Sequence, residues 1–412
     1  MKICTFAAIM KPMRLLLLTL LMACSLTASA QEDSLSISIQ DDSLTTSAQE
    51  ESKWVRLWNL FRSHQDAKTH SKYDPEYIEV PNNPWRVVLR SRSQEFGLSM
   101  ESELDDEFKK FSKFSNITDF QFRTHINPPV AQSLGFFVGY RGLGVSYSPI
   151  KLRKNTGYYW SFGTTGGRFG LNCRIRYFNP EEITSDMESE KGKYSSSDND
   201  DNIGAPINVF TVFVDGYYLF NGRRYSQAAA YNQSVIQRRS CGSFILGGMF
   251  YGAHIDLAEN DDKRNAVLIL FNGNAGRLVF SQLNLGLGYG YNWVPGRGWL
   301  INAMVMPSVS LLSKSTTTYY KYNKDLKDFF TAANNQVTED EWLNNLQVVD
   351  TNEETQRGRL LINGDTRLSV TYNWNRYFLC AFGQFNAFRY KHSITNVQIF
   401  DWYVKISLGV RL

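Results

Sequence analysis

The clearest pattern in the chain is a strict alternation of apolar with small or polar residues along 282–293, QLNLGLGYGYNW. Successive side chains of an extended strand point to opposite sides, so one face of this segment carries Leu, Tyr and Trp while the other carries Asn and Gly. The same alternation recurs at 168–178, RFGLNCRIRYF, and at 401–412, DWYVKISLGVRL. Each segment predicts a strand with an apolar environment on one side only.

The alternation leaves two environments open for the apolar face: the core of a soluble periplasmic β-sandwich, or membrane lipid. Aromatic residues help to separate them, because Tyr and Trp collect where an apolar barrel wall meets the water interfaces. Such residues cluster at the ends of the predicted strands, as at Tyr289, Trp293, Trp299, Trp374 and Tyr377. The pattern therefore favours lipid.

From residue 85 onward the alternation predicts about twelve strands, an even number, which is typical of a transmembrane antiparallel up-and-down β-barrel. The predicted strands span 85–93, 118–127, 134–148, 157–165, 168–178, 207–219, 241–255, 280–293, 298–312, 365–374, 377–390 and 401–412. The third is the least regular, because its apolar phase changes near Arg141 and Gly142. This change predicts a β-bulge.

Long polar connections alternate with short ones, as in a barrel with long extracellular loops and tight periplasmic turns. The short connections read NPPVAQS, GG, VPGRG and NR, whereas the long ones span 94–117, 179–206, 256–279 and 313–364. One connection breaks the rule: 220–240 stands where a short periplasmic turn is expected. It predicts either a periplasmic excursion or a missed pair of strands.

Residues 1–30 have the features of an export signal: a basic start, a short apolar run and an Ala-Ser-Ala cleavage site. Cys24 offers a competing site of lipid attachment. Residues 31–73 are rich in Ser, Thr, Asp, Glu and Gln, which predicts a mobile tail, interrupted by a short amphipathic helix near Trp54–Phe61. The barrel domain is then predicted at 74–412, in the cell outer membrane.

Charge and cysteine content argue against several functions. Removal of the signal takes away three basic residues and no acid, so the formal net charge falls from +4 to +1 and predicts no nucleic-acid partner. The remaining cysteines, Cys173, Cys241 and Cys380, are odd in number and widely spaced, which predicts neither a disulfide framework nor a zinc site. The glycines of 286–290 lie within a strand rather than at a strand-to-helix turn, so they predict no dinucleotide cofactor.

Basic residues within the strands point to the lumen if the apolar phase faces lipid, since Lys or Arg on the lipid side costs about 2–4 kcal/mol at mid-bilayer. The predicted lumen residues, a candidate binding site for anionic solutes or lipopolysaccharide phosphates, are Arg86, Arg90, Arg123, Arg168, Arg174, Arg176, Lys405 and Arg411. Asp215 is the one acid that the pattern places well inside a strand. The alternative is a structural barrel, in which acids of the 181–201 loop fold inward and neutralise the arginines.

An enzymatic alternative is a lipid-modifying hydrolase that uses Ser243 or Ser234 with His125 or His254. None of these residues lies in a HExxH or GxSxG motif. Ser and His on barrel walls are also common for structural reasons, so we expect no catalytic residues and a role in structure, binding or transport.

Four segments in chain order resemble a known family. They are KYDPEYIEVPNNPWRVVLR, GGRFGLNCRIRYF, YSQAAAYNQSVIQRRSCGSFILGG and DTRLSVTYNWNRYF. Together they are similar to the Gram-negative family called domain of unknown function 4421, over about residues 73–412. The resemblance implies an outer-membrane barrel-like protein of unknown activity, with no family catalytic residues to carry over. For the predicted barrel itself we expect outer-membrane lipid and the outer-membrane assembly machinery as partners, and no cofactor.

Overall fold

The structure is a computed structural model. It describes residues 72–103, 121–127, 130–150, 155–180, 184–189, 192–195, 207–257, 265–266, 269–270, 274–324, 328, 339–358, 361–391 and 395–412. The chain divides into two units, and all of these residues belong to the second, Asn59–Leu412. The predicted export signal, the lipid-attachment site and the amphipathic helix lie outside the described residues.

Strands dominate the described part of the chain, and two short helices occur, α1 (Gln227–Tyr231) and α2 (Glu339–Asn344). The strands are β1 (Ile78–Glu79), β2 (Trp85–Glu103), β3 (Gln121–Asn127), β4 (Ala131–Tyr140), β5 (Leu143–Ile150), β6 (Asn155–Thr165), β7 (Phe169–Pro180), β8 (Thr184–Ser189), β9 (Gly192–Ser195), β10 (Asn208–Leu219), β11 (Ile236–Gln237), β12 (Cys241–Asp256), β13 (Ala275–Trp293), β14 (Trp299–Tyr322), β15 (Val348–Gly358), β16 (Ile362–Trp374), β17 (Tyr377–Lys391) and β18 (Thr395–Arg411). No described helix is long and apolar enough to cross a membrane.

Twelve of the described strands form a closed antiparallel ring, in the order β2, β4, β5, β6, β7, β10, β12, β13, β14, β16, β17 and β18. β18 pairs with β2 from Arg411 opposite Arg86 to Thr395 opposite Ser102, and this junction, here called the seam, closes the barrel. The all-β barrel of about twelve strands is therefore confirmed. Both ends of the ring's chain, Trp85 and Arg411, lie at the end with the shorter turns, which is the periplasmic end.

Side chains alternate across the barrel wall as the sequence predicts. On β13, Leu287 and Trp293 are 59% and 51% exposed on the outer face, whereas Asn284 and Asn292 are 1% and 0% exposed on the inner face. A closed barrel leaves no open sheet edge, so it can span a membrane, and its apolar outer face then contacts the lipid. The predicted apolar face is therefore the outer wall.

The predicted strand 134–148 is two strands, and its predicted bulge is wrong. The chain reverses at Arg141 and Gly142, so β4 pairs antiparallel with β5 and the apolar phase changes because the direction changes. Arg141 adopts a φ of 50°, and a Cβ on Gly142 would lie 2.1 Å from the carbonyl oxygen of Thr165. A residue with left-handed backbone angles followed by a glycine is typical of a tight turn between antiparallel strands. The alternation of apolar and polar residues does not reveal such a turn.

The predicted strand 118–127 corresponds to β3, which is not a separate member of the ring. Both β3 and β4 pair antiparallel with β2, at Leu98–Glu103 and at Trp85–Gln94 respectively, so they run in the same direction along it. NPPVAQS therefore does not reverse the chain. Proline has no N–H to donate to a ladder, which agrees with a break in pairing at this point. The prediction has one ring strand too few at 134–148 and one too many at 118–127. The two errors cancel, so the predicted number of ring strands, twelve, agrees with the structure.

The extracellular end carries further strands beyond the ring. β8 pairs with β3 and with β9, and β15 pairs with β14. These strands lie within the predicted long connections 94–117, 179–206 and 313–364 or next to them, so part of these connections is sheet rather than loop.

Candidate functional site in the barrel lumen

A segment of the chain fills the periplasmic end of the lumen. Residues 220–240, here called the plug, contain α1, whose residues Gln227–Ala230 are buried. Ser226 caps this helix by accepting a hydrogen bond from the Ala229 amide at 3.1 Å. β11 of the plug pairs with β1, which precedes the barrel. The anomalous connection is therefore an excursion that folds back into the barrel and also carries one short strand.

Neutral amides on β13 and β14 hold one side of the plug. Asn302 donates to the Tyr225 hydroxyl at 3.1 Å and accepts from the Tyr231 hydroxyl at 2.7 Å. Asn292 donates to the Ser226 carbonyl and to Gln237 Oε1, both at 3.0 Å. Burial raises the pKa of both Tyr225 and Tyr231, which keeps the hydroxyls protonated for these bonds.

Three wall cations hold the other side of the plug through consecutive peptide carbonyls. Lys405 Nζ donates to the Tyr231 carbonyl at 3.3 Å, and Arg86 Nη1 donates to the Asn232 carbonyl at 2.5 Å. Arg411 donates to the third carbonyl, that of Gln233, through Nε and Nη2 at 3.3 Å each. These carbonyls lie at the C-terminal end of α1, where the peptide dipoles favour positive charge. Arg86, Lys405 and Arg411 thus have partners that come from the plug.

Above the plug, the inner wall encloses a chamber of about 80 Å³. Tyr231 and Asn232 of the plug are part of its lining, and all its other described lining residues lie on strands of the ring. The charged residues that line it are Arg90, Arg92, Arg174, Arg367, Lys405 and Asp215. Five cations therefore face one described carboxylate.

Arg367 forms a salt bridge with that single carboxylate, Asp215. Its Nη2 lies 3.1 Å from Asp215 Oδ2 and 2.6 Å from Asp365 Oδ2, and all three side chains are buried. Arg176, just outside the chamber, pairs with both oxygens of Asp401 at 3.2 and 2.9 Å. The lumen acids are thus engaged with cations other than Arg90, Arg92, Arg174 and Lys405.

The remaining chamber cations have no salt bridge among the described residues. Arg90 lies over the Phe137 ring at 3.8 Å from its centroid, and Arg92 lies over the Tyr159 ring at 3.4 Å. Arg90 Nε and Arg92 Nε and Nη1 are buried without a hydrogen-bond partner among the residues that the structure describes. Stacking on an aromatic face satisfies the flat side of a guanidinium and leaves its in-plane donors available.

Like charges also face each other across the seam. The register places Arg92 opposite Lys405 and Arg86 opposite Arg411, with all four side chains on the inner face. Like charges directly opposite each other on paired strands are destabilising. Plug carbonyls compensate the Arg86–Arg411 pair, and the Lys405 ammonium has one such carbonyl. Arg92 has none among the described residues.

The extracellular half of the lumen is closed by apolar packing, here called the ceiling. Tyr251 and Phe388 stack with ring centroids 4.2 Å apart, and Phe213 packs on both. Phe96 and Ile399 lie in the same buried cluster. The chamber is therefore bounded by the ceiling on one side and by the plug on the other.

The structure places six of the eight predicted lumen cations inside the barrel: Arg86, Arg90, Arg174, Arg176, Lys405 and Arg411. Arg168 is instead exposed in the periplasmic turn between β6 and β7. Arg123 lies on β3, beyond the ring, and its side chain is outside the described residues. The binding role of these residues stays a prediction.

Sequence reasoning missed four lumen residues that share the inward phase of predicted strands: Arg92, Asp365, Arg367 and Asp401. Arg92 has the same even phase as Arg86 and Arg90, so the alternation could have identified it. The prediction that Asp215 is the one acid well inside a strand is wrong. Asp365 and Asp401 also lie inside strands, β16 and β18, and both pair with lumen arginines. The side chains of the 181–201 loop are outside the described residues, so their inward folding stays a prediction.

The Ser243–His254 combination of the enzymatic alternative does not form on β12. Ser243 and His254 are eleven positions apart on this strand, which separates them by roughly 36 Å. Ser243 Oγ accepts from the Asn221 amide and donates to the Phe244 carbonyl. Ser234 belongs to the plug, and the side chain of His125 is not among the described ones.

A closed antiparallel ring with an apolar outer face defines an outer-membrane β-barrel protein, located in the cell outer membrane. The family with the description "Domain of unknown function (DUF4421)" matches residues 73–411, so the chain belongs to this family. The matched region begins at Tyr73 and thus includes β1 and the whole plug.

Solved structures with a similar fold are outer-membrane barrels. The outer membrane protease OmpT of Escherichia coli is 5% identical, with a TM-score of 0.36, and the match covers 82% of this chain and 100% of that one. OprG of Pseudomonas aeruginosa is 10% identical, with a TM-score of 0.28 and coverage of 82% and 98%. The toluene transporter TodX of P. putida is 6% identical, with a TM-score of 0.24 and coverage of 81% and 91%. Such low scores carry no information on function, and no curated protein matches significantly.

Proposed function

We propose that the protein is a binding or transport barrel, not an enzyme, and that its lumen chamber holds a small anion. The observation that carries this proposal is the Arg92–Lys405 pair. The two cations face each other across the seam, line the same chamber and have no carboxylate partner among the described residues.

An anion between these side chains would remove their mutual repulsion. In a low-dielectric lumen this gain is larger than in water, because solvent screens the charges less. Arg92 and Arg90 offer unpaired in-plane nitrogens, the geometry that suits the oxygens of phosphate, sulfate or carboxylate. The stacked rings of Phe137 and Tyr159 fix the guanidiniums before any ligand arrives, which lowers the entropic cost of binding.

The chamber volume limits the size of the ligand. One water needs a cavity volume of about 10–15 Å³, so a chamber of about 80 Å³ accommodates on the order of five to eight water-sized groups. Inorganic phosphate and sulfate have five heavy atoms, and short carboxylates have a similar number. The shared chemistry is a small oxyanion. A lipopolysaccharide phosphate presents the same group but remains attached to a large lipid.

Calorimetric titration of the purified protein in mild detergent with phosphate, sulfate, acetate and lipopolysaccharide tests the proposal. We expect one site for a small oxyanion, weakened at least about tenfold, or 1.4 kcal/mol, by Arg92→Gln. Arg357→Gln removes an exposed guanidinium from β15 and serves as the matched control, with unchanged affinity expected. No binding of any of these anions, or equal binding by the Arg92 variant, would contradict the proposal. Binding of lipopolysaccharide alone would assign the site to lipid.

A further inference from the structure

We infer that the plug is the gate of the chamber, and that a small anion reaches the chamber from the periplasmic side when the cation-held side of the plug moves away. This inference rests on the proposed anion site for its ligand. The gate itself is argued from the packing of the lumen.

The ceiling blocks the route from outside. An anion from the extracellular side would have to pass the stacked Tyr251, Phe388 and Phe213 rings and give up its hydration among apolar side chains. Burying an unpaired charge in such surroundings costs several kcal/mol. The Arg176–Asp401 pair joins β7 to β18 across the lumen and adds a carboxylate, which repels an anion, to this part of the barrel.

The plug is the one described part of the chamber lining that is not barrel wall. Tyr231 and Asn232 supply this part, and both follow the end of α1 or lie at it. Wall strands are fixed by ladders of hydrogen bonds on both sides, whereas a helix of five residues is not stable by itself. Displacement of the peptide carbonyls of residues 231–233, with the Tyr231 side chain kept on Asn302, would therefore open the chamber while the ring stays closed.

The bonds on the two sides of the plug differ in how easily an anion replaces them. Asn292 and Asn302 bind the plug through hydrogen bonds between neutral groups, and neither residue is among the described residues that line the chamber. Lys405 instead donates to a neutral carbonyl at 3.3 Å and also lines the chamber. A charged acceptor forms a bond roughly twice as strong as a neutral one, so an arriving anion competes with the Tyr231 carbonyl for this ammonium. The amide side acts as the hinge and the cation side as the releasing edge.

A reversible covalent lock tests the gate. Cys380 Sγ lies 3.7 Å from the Ala230 carbonyl oxygen, so Ala230→Cys adds a second thiol on a neighbouring segment of the backbone. The variant is made with Cys173→Ser and Cys241→Ser, and the same background with native Ala230 is the matched control. Oxidation to the 230–380 disulfide is verified by mass spectrometry. If the disulfide does not form, a short bifunctional thiol crosslinker joins the two positions.

Two readouts keep the gate distinct from the anion site. The first is release of bound radioactive phosphate, which we expect to slow at least about tenfold on locking and to recover on reduction. The second needs no anion: Ser161→Cys places a thiol on the chamber wall, and the locked protein should protect it from a charged, membrane-impermeant thiosulfonate. In proteoliposomes the unlocked protein should react when the reagent is on the periplasmic side.

Each outcome has one meaning. Equal phosphate release and equal thiosulfonate reaction in the locked and reduced forms would overturn the gate and leave the anion site standing. Absence of phosphate binding together with lock-dependent protection at position 161 would overturn the anion site and support the gate. Reaction of the locked protein from the extracellular side would overturn the periplasmic route.

Discussion

At the scale of single residues, the lumen cations divide into those that have carboxylates and those that do not. Arg367 and Arg176 pair with acids of the wall, whereas Arg90 and Arg92 stack on rings with donors left over. Their inward direction follows from period-two alternation, which the sequence contains. The partners of the lumen cations do not follow from the alternation. Asn232 and Gln233, for example, lie more than a hundred positions away from Arg86 and Arg411, the cations that they bind. Alternation records which face a residue takes and nothing about what folds against that face.

Replacing paired and unpaired arginines should have opposite effects on stability. Arg367→Met leaves Asp215 and Asp365 buried without their cation, so we expect a loss of about 3–5 kcal/mol in the free energy of unfolding. Arg90→Met removes a buried charge that has no acid partner among the described residues, so we expect the free energy of unfolding to stay the same or rise. Urea unfolding of the reconstituted protein, followed by tryptophan fluorescence, measures both. Equal losses would show that Arg90 has a charge partner.

The inner-face glycines of 286–290 leave room for the plug and for neighbouring strands. A Cβ on Gly290 would lie 2.1 Å from the Tyr225 hydroxyl. Gly290→Ala should therefore displace Tyr225, destabilise the plug by about 1–3 kcal/mol and speed trypsin cleavage within residues 220–240. Gly248→Ala is the control, because its added Cβ meets nothing within 4 Å. Similar cleavage rates in both variants would argue against Tyr225 as an anchor.

At the scale of elements, two segments separated in sequence act together at the periplasmic end. β1 pairs with β11, and Tyr73 and Ile78 pack with the alanines of α1. Ion pairs between Asp74 and Arg224 and between Glu76 and Arg239 join the same two segments on the surface. The sequence marked 220–240 as unusual by its length alone. Its place inside the barrel depends on contacts with strands on every side, which local periodicity does not encode.

The docking of residues 72–84 should respond to the charge of Asp74. The Arg224 guanidinium beside Asp74 holds the pKa of that carboxyl below its usual range. A lowered pKa in the folded state means that the bond is fully present at neutral pH and is lost only as the pH falls through this lowered pKa. At pH 5 the wild-type segment should therefore keep its protection from hydrogen exchange. Asp74→Asn should exchange faster at the same pH, and identical rates would contradict a role for the pair.

The Arg141–Gly142 turn shows where element prediction failed and why. An alternation that changes phase is compatible with a bulge or with a reversal of direction, and the two differ in pairing partners rather than in local pattern. The pairing of β4 with β5 and the close approach of Thr165 to Gly142 distinguish the reversal from a bulge. Strand existence was predictable from the sequence, whereas connectivity at this point was not.

At the scale of the whole molecule, the barrel is a closed wall with a packed interior. Its apolar outer face and closed ring place it in the outer membrane. We expect the protein to fractionate with outer membranes and to migrate faster unboiled than boiled on a denaturing gel, because the ladder resists detergent until heated. Recovery in the soluble periplasmic fraction would contradict this and favour the β-sandwich.

Conductance in planar bilayers should report the state of the plug. We expect the wild-type barrel to remain closed, because the ceiling and the plug both fill the lumen. Replacing residues 225–237 by a short Gly-Ser linker should leave the barrel closed while the ceiling stays intact. The same linker combined with Phe213→Ala, Tyr251→Ala and Phe388→Ala should increase the frequency of openings, with anions favoured over cations. Arg90→Gln combined with Arg92→Gln in the same background should reduce that preference, since the cationic wall focuses the field. Cation preference in the combined variant would contradict a basic lumen.

The like-charge pairs at the seam also bear on the order of assembly. The first and last strands of the ring meet only when the barrel closes, and that step brings Arg86 against Arg411 and Arg92 against Lys405. The plug supplies carbonyls to Arg86 on one side of the junction and to Lys405 and Arg411 on the other. A wall that closes before the plug arrives encounters this repulsion without compensation, whereas a wall that closes around the plug does not. The carbonyls of the plug thus compensate, in the folded barrel, a repulsion that the β2–β18 ladder alone would leave at its last junction to close.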